Sequence, residues 1–481
     1  MTQAKSLLGE KITNNSYLFL NLLFGFFPIS FILGSLVVNI NFLLFCLLGI
    51  YCLKSEILKT KFDFSFKIIF LFFFIVFFST LLNLVVSIYF NEYIRADLTK
   101  LIKSLLFFRF FLFLLIVYLL SKHNILRFEY FFLVAALSSI LLALDVIYQH
   151  FFGVDIIGLK SQKFRSSGFF GDEYIAGGYL QRFGFFAIFF SILVSKNKKI
   201  IKFVSTIFVI CILCAAIFFS GNRMPFILFL FGLFLILLLN FQIKKILLTS
   251  FLTLLIFFQL VISPENKTHF VNQYSSLYYN VTNTLFGLKG LSFEQPFKAK
   301  PEDTSTRSLG KRSDEKSLSQ KTYFLKTEYK SFYRKLFLAS LYTWKQNKIF
   351  GNGIRSFYTD CHKLAGPYIN IDEDEQFNKI NLSCSNHPHN YYFQILTTTG
   401  IVGLFIMLSI GLLFVVFTFK NFKFIKKFDM TNIILLSAVL SFFLEMFPIK
   451  STGSFYTTNN ATYIILIGSI VLSYKERLKV K

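Results

Sequence analysis

The sequence predicts an all-α polytopic membrane protein, and three observations carry that class. Of 481 residues, 55% are hydrophobic and only 16% are charged, against roughly 25% charged in ordinary soluble domains. The apolar residues fall in runs of about 17 to 25, each long enough to cross a bilayer as a helix with its backbone hydrogen bonds satisfied internally. Lys and Arg gather in short clusters between those runs, where membrane-flanking anchors sit. A globule this apolar has too little polar surface to cover itself, which argues against a soluble enzyme. The composition also excludes a disordered chain, a collagen-like chain and a disulfide scaffold. The formal charge of +25 does not indicate nucleic acid, because no basic stripe on a soluble domain is present to track phosphates.

About twelve transmembrane helices are expected, at 17–33, 36–53, 67–89, 103–121, 128–148, 174–195, 200–219, 224–240, 245–263, 390–418, 431–449 and 455–474. The chain thus divides into membrane helices 1–9 (1–263), a large loop (264–389) and membrane helices 10–12 (390–481). Orientation follows from the cations. The segments of one side, among them those with Lys54, Lys59, Lys61 and Lys67, with Lys196, Lys198, Lys199 and Lys202, and with Lys420, Lys423, Lys426 and Lys427, hold 22 Lys and Arg, against 8 in the short connections of the other side. The positive-inside rule then puts both termini in the cytoplasm and the large loop outside. The first apolar run follows Lys5 and Lys11 and leads directly into a second, so it reads as an uncleaved anchor.

Within the loop, 292–321 is rich in Ser, Lys, Glu and Thr and is expected to be mobile. From Tyr323 to Gln346 apolar residues recur at helical spacing (Phe332, Leu336, Phe337, Leu341, Trp344), which predicts an amphipathic helix ended by the Phe350-Gly351-Asn352-Gly353 turn. The loop is therefore expected to be mostly helical. Cys361 and Cys384 both fall in it, and an oxidising compartment allows them to pair. Cys211 and Cys214 lie in an apolar run, where packing is the simpler reading.

Ionisable residues inside membrane spans are costly and mark function or structural pairing. Here Arg109, Asp145, Arg182, Arg223 and Glu445 all sit toward the outer side of their spans. Asp145, Arg182 and Glu445 are open to a second reading, as partners that hold helices together. Arg223 stands in the short turn Ser220-Gly221-Asn222-Arg223, which needs no arginine for its geometry. The other feature is Asn386-His387-Pro388-His389-Asn390, just before the tenth span. His389 at a helix start is disfavoured as imidazolium, and so is suited to accept a proton. A helix cap with an interfacial histidine explains the motif equally well. Asp372-Glu373-Asp374-Glu375 reads as a solvated face rather than an oxygen cage for a metal.

These motifs together resemble the O-antigen ligase and O-antigen polymerase family of bacterial envelope glycosyltransferases, over roughly residues 160–420. Ser220-Gly221-Asn222-Arg223 looks like its arginine turn. His387-Pro388-His389-Asn390-Tyr391-Tyr392, with Gln394, Gly400 and Gly403, looks like its histidine motif. Tyr333-Arg334 followed by Phe350-Gly351-Asn352-Gly353 is similar to its second-arginine element, although the usual Trp after that arginine is replaced near Phe337. Arg165 to Glu173 with Ala176-Gly177-Gly178 resembles a segment of one branch.

The resemblance implies an inner-membrane, multi-pass glycosyltransferase whose site faces the periplasm. It would move a glycan from undecaprenyl diphosphate to an acceptor hydroxyl, with no cofactor and no metal. It implies His389 as general base and Arg223 and Arg334 as diphosphate ligands. Arg182, Arg165, His387, Asp172 and Glu173 are candidates for supporting roles, Asp172 and Glu173 either at the acceptor or paired with Arg165 or Arg182. Ligation of O-antigen to lipid A-core is the first expectation. Polymerisation of repeat units is the alternative, then transfer to protein, with a secondary transporter last. The expected partners are the lipid-linked donor, the glycan acceptor and the bilayer.

Overall fold

The helices begin and end where local chemistry permits. Asp63 caps one by accepting from the Phe66 amide at 3.0 Å, and Asp429 caps another through the Asn432 amide at 2.8 Å. Gly34, at φ 101°, makes the one-residue break that separates the first two helices. The computed structural model describes residues 14–54, 56–60, 62–90, 94–162, 164–195, 198–239, 244–261, 264, 267–272, 274–275, 332–364, 384–421 and 429–479. The α-helices are α1 Asn14–Leu33, α2 Ser35–Leu53, α3 Glu56–Lys59, α4 Phe64–Tyr89, α5 Ile94–Lys122, α6 Phe128–Phe152, α7 Ala176–Val194, α8 Lys199–Phe219, α9 Arg223–Leu239, α10 Lys244–Val261, α11 Phe332–Lys345, α12 Ser356–Leu364, α13 Tyr391–Lys420, α14 Met430–Glu445 and α15 Thr458–Lys479. Among the described residues there is no strand, only two isolated bridges in the connection after α6.

Eight of these helices are long and apolar enough to cross a membrane, and Arg223–Leu238 and Met430–Glu445 are shorter apolar helices. The chain is a multi-pass, all-helical membrane protein. Each expected run falls on a helix, with some edges displaced. The fourth begins at Ile94 rather than 103, and the eleventh ends at Glu445 rather than 449, where the backbone turns. The expected mobile stretch 292–321, the acidic run 372–375 and residues 323–331 of the amphipathic helix lie outside the described residues.

The core is built from phenylalanine. Phe24, Phe27, Phe45 and Phe113 are fully buried where α1, α2 and α5 meet, with Phe42 stacked on Phe113 at 4.9 Å. Lipid gives no hydrophobic drive between helices, so such interlocking rings supply dispersion contacts instead. α6 packs on α7 and α8, and α9 packs on α7, α8 and α14; α5 packs on α4, α2 and α15, and α4 packs on α13; α1, packed on both α2 and α6, and the α14–α15 contact join these two sets into one bundle.

α13 carries a break that matters for the site. At Gly400 (φ 64°, ψ −162°) the helix is interrupted, and the turn after α11 fills the gap. Asn352 and Gly353 amides donate to the Thr397 and Thr398 carbonyls at 2.9 Å each, and the Ile401 amide donates to Lys348 at 3.0 Å. A broken membrane helix must have its freed backbone groups satisfied by protein, and this turn does it. The approach requires glycine: a Cβ on Gly351 would lie 2.4 Å from the Gly400 nitrogen. The Phe350-Gly351-Asn352-Gly353 turn and the Gly400/Gly403 pair, separate features in the sequence, are therefore two sides of one joint. Below it, Cys361 and Cys384 form a disulfide with Cα atoms 5.8 Å apart.

Candidate active site

A cavity of about 1600 Å³ is walled by residues of α5, α7, α9, α12 and α13 and of the connection after α14. His389, Arg223, Arg165, Arg182 and His387 all line it, and so do Lys103, Arg109, Arg355, Glu445 and Lys450.

The arginine turn is held from below. The Asn222 carboxamide accepts from the Gly177 amide at 3.0 Å and donates to the Tyr174 carbonyl at 2.9 Å. Gly177 must be glycine, because a Cβ there would meet Ser220 Oγ at 2.4 Å. Arg165 lies across Gly221 (φ 69°), its Cγ where a Gly221 side chain would go, and its guanidinium stands 5.8 Å from the Tyr174 ring centroid. Arg223, the first residue of α9, thus follows directly on a turn docked on the start of α7, with Arg165 packed across that turn. Asp172 and Glu173 are exposed and do not line the cavity.

The histidine segment is strapped to residues 445–452. The Thr452 amide donates to the His389 carbonyl at 2.9 Å. Asn390 caps α13 through the Tyr392 and Phe393 amides and donates its own side-chain N–H to the Pro448 carbonyl at 2.7 Å. Tyr391 donates to Glu445 at 2.7 Å and Tyr392 to the Met446 carbonyl at 2.6 Å. This strap is why α14 stops at Glu445. It also holds His389 at φ 55°, a left-handed conformation that costs a non-glycine residue about 1–2 kcal/mol and persists only when surroundings enforce it. The His387 and His389 rings lie 4.2 Å apart, centroid to centroid. Burial holds His389 below the ordinary imidazole range, and burial with the neighbouring His389 pushes His387 down to about 4. Both are therefore neutral at pH 7. The main physical cause is burial, where the sequence argument invoked the helix end.

Behind the histidines is a buried ionic cluster. Glu445 is fully buried and accepts two hydrogen bonds from Arg182, at 3.0 and 2.6 Å, one from Tyr391 and one from Lys450. Lys450 also donates to Gln181 at 2.7 Å. Two cations face one carboxylate, which leaves a positive excess beside the cavity. Arg182 and Glu445 are thus the helix-joining pair. Asp145 has no part in it: its carboxylate receives the Ile156 amide at 3.0 Å and anchors the connection after α6. Arg182 does not meet Asp172 or Glu173; its carboxylate partner is Glu445.

Arg334 belongs to α11 by its backbone, and its side chain lies outside the described residues. Three lining cations were not singled out by the sequence argument as site residues: Lys103, Arg355 and Lys450. Arg355 had a signal, since it follows directly on Gly351-Asn352-Gly353. Lys450 had one as well, five residues after a buried glutamate. Lys103 had none, being one of two lysines near the start of its helix.

Residues 207–408 match the protein-family model described as O-Antigen ligase. No curated protein matches the chain.

Proposed function

Taking as premise that residues 207–408 match the O-antigen ligase family model, a family that implies glycan substrates and a lipid bilayer, we propose that this chain transfers a glycan from undecaprenyl diphosphate to an acceptor hydroxyl at the periplasmic face. The observation that supports this most is that Arg223 and His389, from helices that do not adjoin in sequence, line one cavity. The donor's leaving group is anionic and sits at the membrane interface. A guanidinium binds phosphate oxygens as a planar fork, and a fixed cation stabilises charge building on the bridging oxygen as the sugar leaves.

The steps follow from the groups. Neutral His389 takes the acceptor hydroxyl proton. The acceptor oxygen attacks the anomeric carbon, the bond from that carbon to the diphosphate oxygen breaks, and the diphosphate departs with the electron pair onto Arg223 and Arg165. Direct attack inverts the anomeric centre. Arg334 is assigned to the same diphosphate through its motif, and His387 stands beside the base, its ring centroid 4.2 Å from that of His389. Cys361–Cys384 favours the outer placement of the 264–389 loop, since disulfides persist in oxidising compartments. The corresponding topology has about twelve spans, both termini cytoplasmic, in a bacterial inner membrane.

Ligation to lipid A-core is the first assignment. Joining of repeat units uses the same groups and differs only in the acceptor. The test is transfer in membranes supplied with undecaprenyl-diphosphate glycan and acceptor. Loss of a general base typically lowers the rate by ~10²–10⁴, and His389→Ala is expected to do so. Arg223→Lys keeps the charge but loses the fork and is expected to abolish most transfer with normal membrane insertion. Wild-type rates in either variant refute the corresponding role.

A further inference from the structure

The cavity is lined by further cations to which the reading above gives no role. Lys103 on α5 and Arg355, just before α12, both line it. Lys103 stands on α5 and Arg355 follows the turn docked on α13, whereas Arg165 and Arg223 stand at the turn docked on the start of α7. Lys103 and Arg355 are close enough for their positive charges to repel. Among the described residues neither meets a carboxylate. Asp97, the acidic residue of α5, is engaged by Lys100 at 3.1 Å, and Glu445 is taken by Arg182 and Lys450.

Arg355 is also held in place at a cost. Its φ is 62°, and the backbone is pinned on both sides. The Ile354 amide donates to Thr80 Oγ1 at 3.1 Å, and Ser356 Oγ donates to the Thr397 carbonyl at 3.2 Å. Its side chain is exposed to the cavity while its Cα is fixed by the Gly351–Gly400 joint. Strained, rigid backbone presenting a charged side chain is the arrangement of a binding site rather than of a solvated surface.

We propose that Lys103 and Arg355 form an anion subsite for the acceptor, so that the acceptor carries a phosphate or diphosphate near the hydroxyl that is glycosylated. This rests on the transferase reading above. With the donor diphosphate on Arg165 and Arg223, the acceptor approaches from the α5 side, and its phosphate on Lys103 and Arg355 sets the hydroxyl toward His389. Two sources supply that chemistry: a phosphorylated core lipid, or the diphosphate of a second polyprenyl-linked glycan.

The experiment uses the full chain in lipid nanodiscs, as wild type and as Lys103→Gln, Arg355→Asn and the double variant. Asn tolerates the left-handed backbone at 355, so the joint is retained. Three acceptor probes are compared: a phosphorylated core lipid, the same lipid after phosphatase, and an undecaprenyl-diphosphate disaccharide. Wild type is expected to prefer whichever phosphate-bearing probe is the acceptor, and that preference separates the two sources. Each single substitution is expected to raise the KM for that acceptor roughly tenfold, by removing one charge-assisted hydrogen bond, with the donor KM unchanged. The preference over the phosphatase-treated lipid is expected to vanish in the double variant. Equal effects on phosphorylated and dephosphorylated acceptors, or an effect on the donor KM alone, overturn the subsite. Direct binding of the phosphate-bearing probes is measured in parallel. If wild type transfers nothing to any probe, the transferase reading fails, whereas binding lost in the double variant still supports the subsite and unchanged binding still refutes it.

Discussion

Glu445→Gln is the most informative single change, because one carboxylate serves both the fold and the site. The substitution keeps side-chain shape and one acceptor oxygen but removes the only carboxylate among the described residues that faces Arg182 and Lys450. Breaking a buried ion pair by removing one partner costs about 3–5 kcal/mol, since the other charge stays buried and uncompensated. Here two cations are left. The same residue accepts from Tyr391, two positions from His389, so the histidine strap loosens with it. A displacement near 1 Å at reacting groups costs on the order of 10² in rate. The assay pairs thermal unfolding in detergent with the transfer rate. Both are expected to fall, the rate at saturating substrate more than the KM changes. The Glu445→Gln/Lys450→Gln double variant removes one surplus cation and is expected to be more stable than Glu445→Gln alone, with a coupling of roughly 1–3 kcal/mol. Wild-type melting and wild-type transfer in Glu445→Gln would refute the reasoning. Additive losses in the double variant would refute the charge-balance part alone.

Three further outcomes are expected. Gly351→Ala places a methyl 2.4 Å from the Gly400 nitrogen at a residue with φ 71°, so a loss of roughly 2–4 kcal/mol in stability is expected, read by melting, and an unchanged melting point would mean the joint opens freely. His389 works as a base only when neutral, and burial lowers its pKa; transfer is therefore expected to stay level as pH falls to the ordinary imidazole range of about 6.5 and to decline only below it. A pH–rate profile whose acid limb lies above 7 would remove His389 as the base. Cys361→Ser opens a loop closed across 23 residues and is expected to cost about 3 kcal/mol in the chain-entropy account; reductant is expected to lower the wild-type melting point and to leave that of the variant unchanged.

The helices were legible in the sequence because bilayer thickness acts on composition directly: a run without charges is visible residue by residue. The two residues central to the proposed chemistry were also legible, since Arg223 sits in a turn with no structural need for it and His389 sits at a helix start. The rest depended on which helices meet. Nothing in sequence spacing joins Glu445 to Arg182, 263 positions earlier, or the Phe350–Gly353 turn to a break in α13. Lys103 and Arg355 were passed over for the same reason. A lone cation near a membrane edge reads as an anchor, and only the fold shows two of them facing one cavity with no carboxylate partner among the described residues.

The division of the cavity bears on how its specificity arises. The family match runs from 207 to 408 and includes Arg223, Arg355 and His389, the groups proposed to touch both substrates. Arg165, Arg182, Glu445 and Lys450 lie outside it, and so does Lys103. The matched segment therefore contains the base, Arg223 and Arg334 on the donor side and Arg355 on the acceptor side, while the flanking chain supplies a further cation to each, Arg165 and Lys103, and the buried pair behind the histidine. The second cation decides whether an anion is gripped or merely attracted, because a single fork at an open wall is heavily screened, whereas two convergent cations bind with geometry. It follows that exchanging α5 between related chains, with residues 207–408 left intact, should move acceptor preference while the chemical step stays with His389.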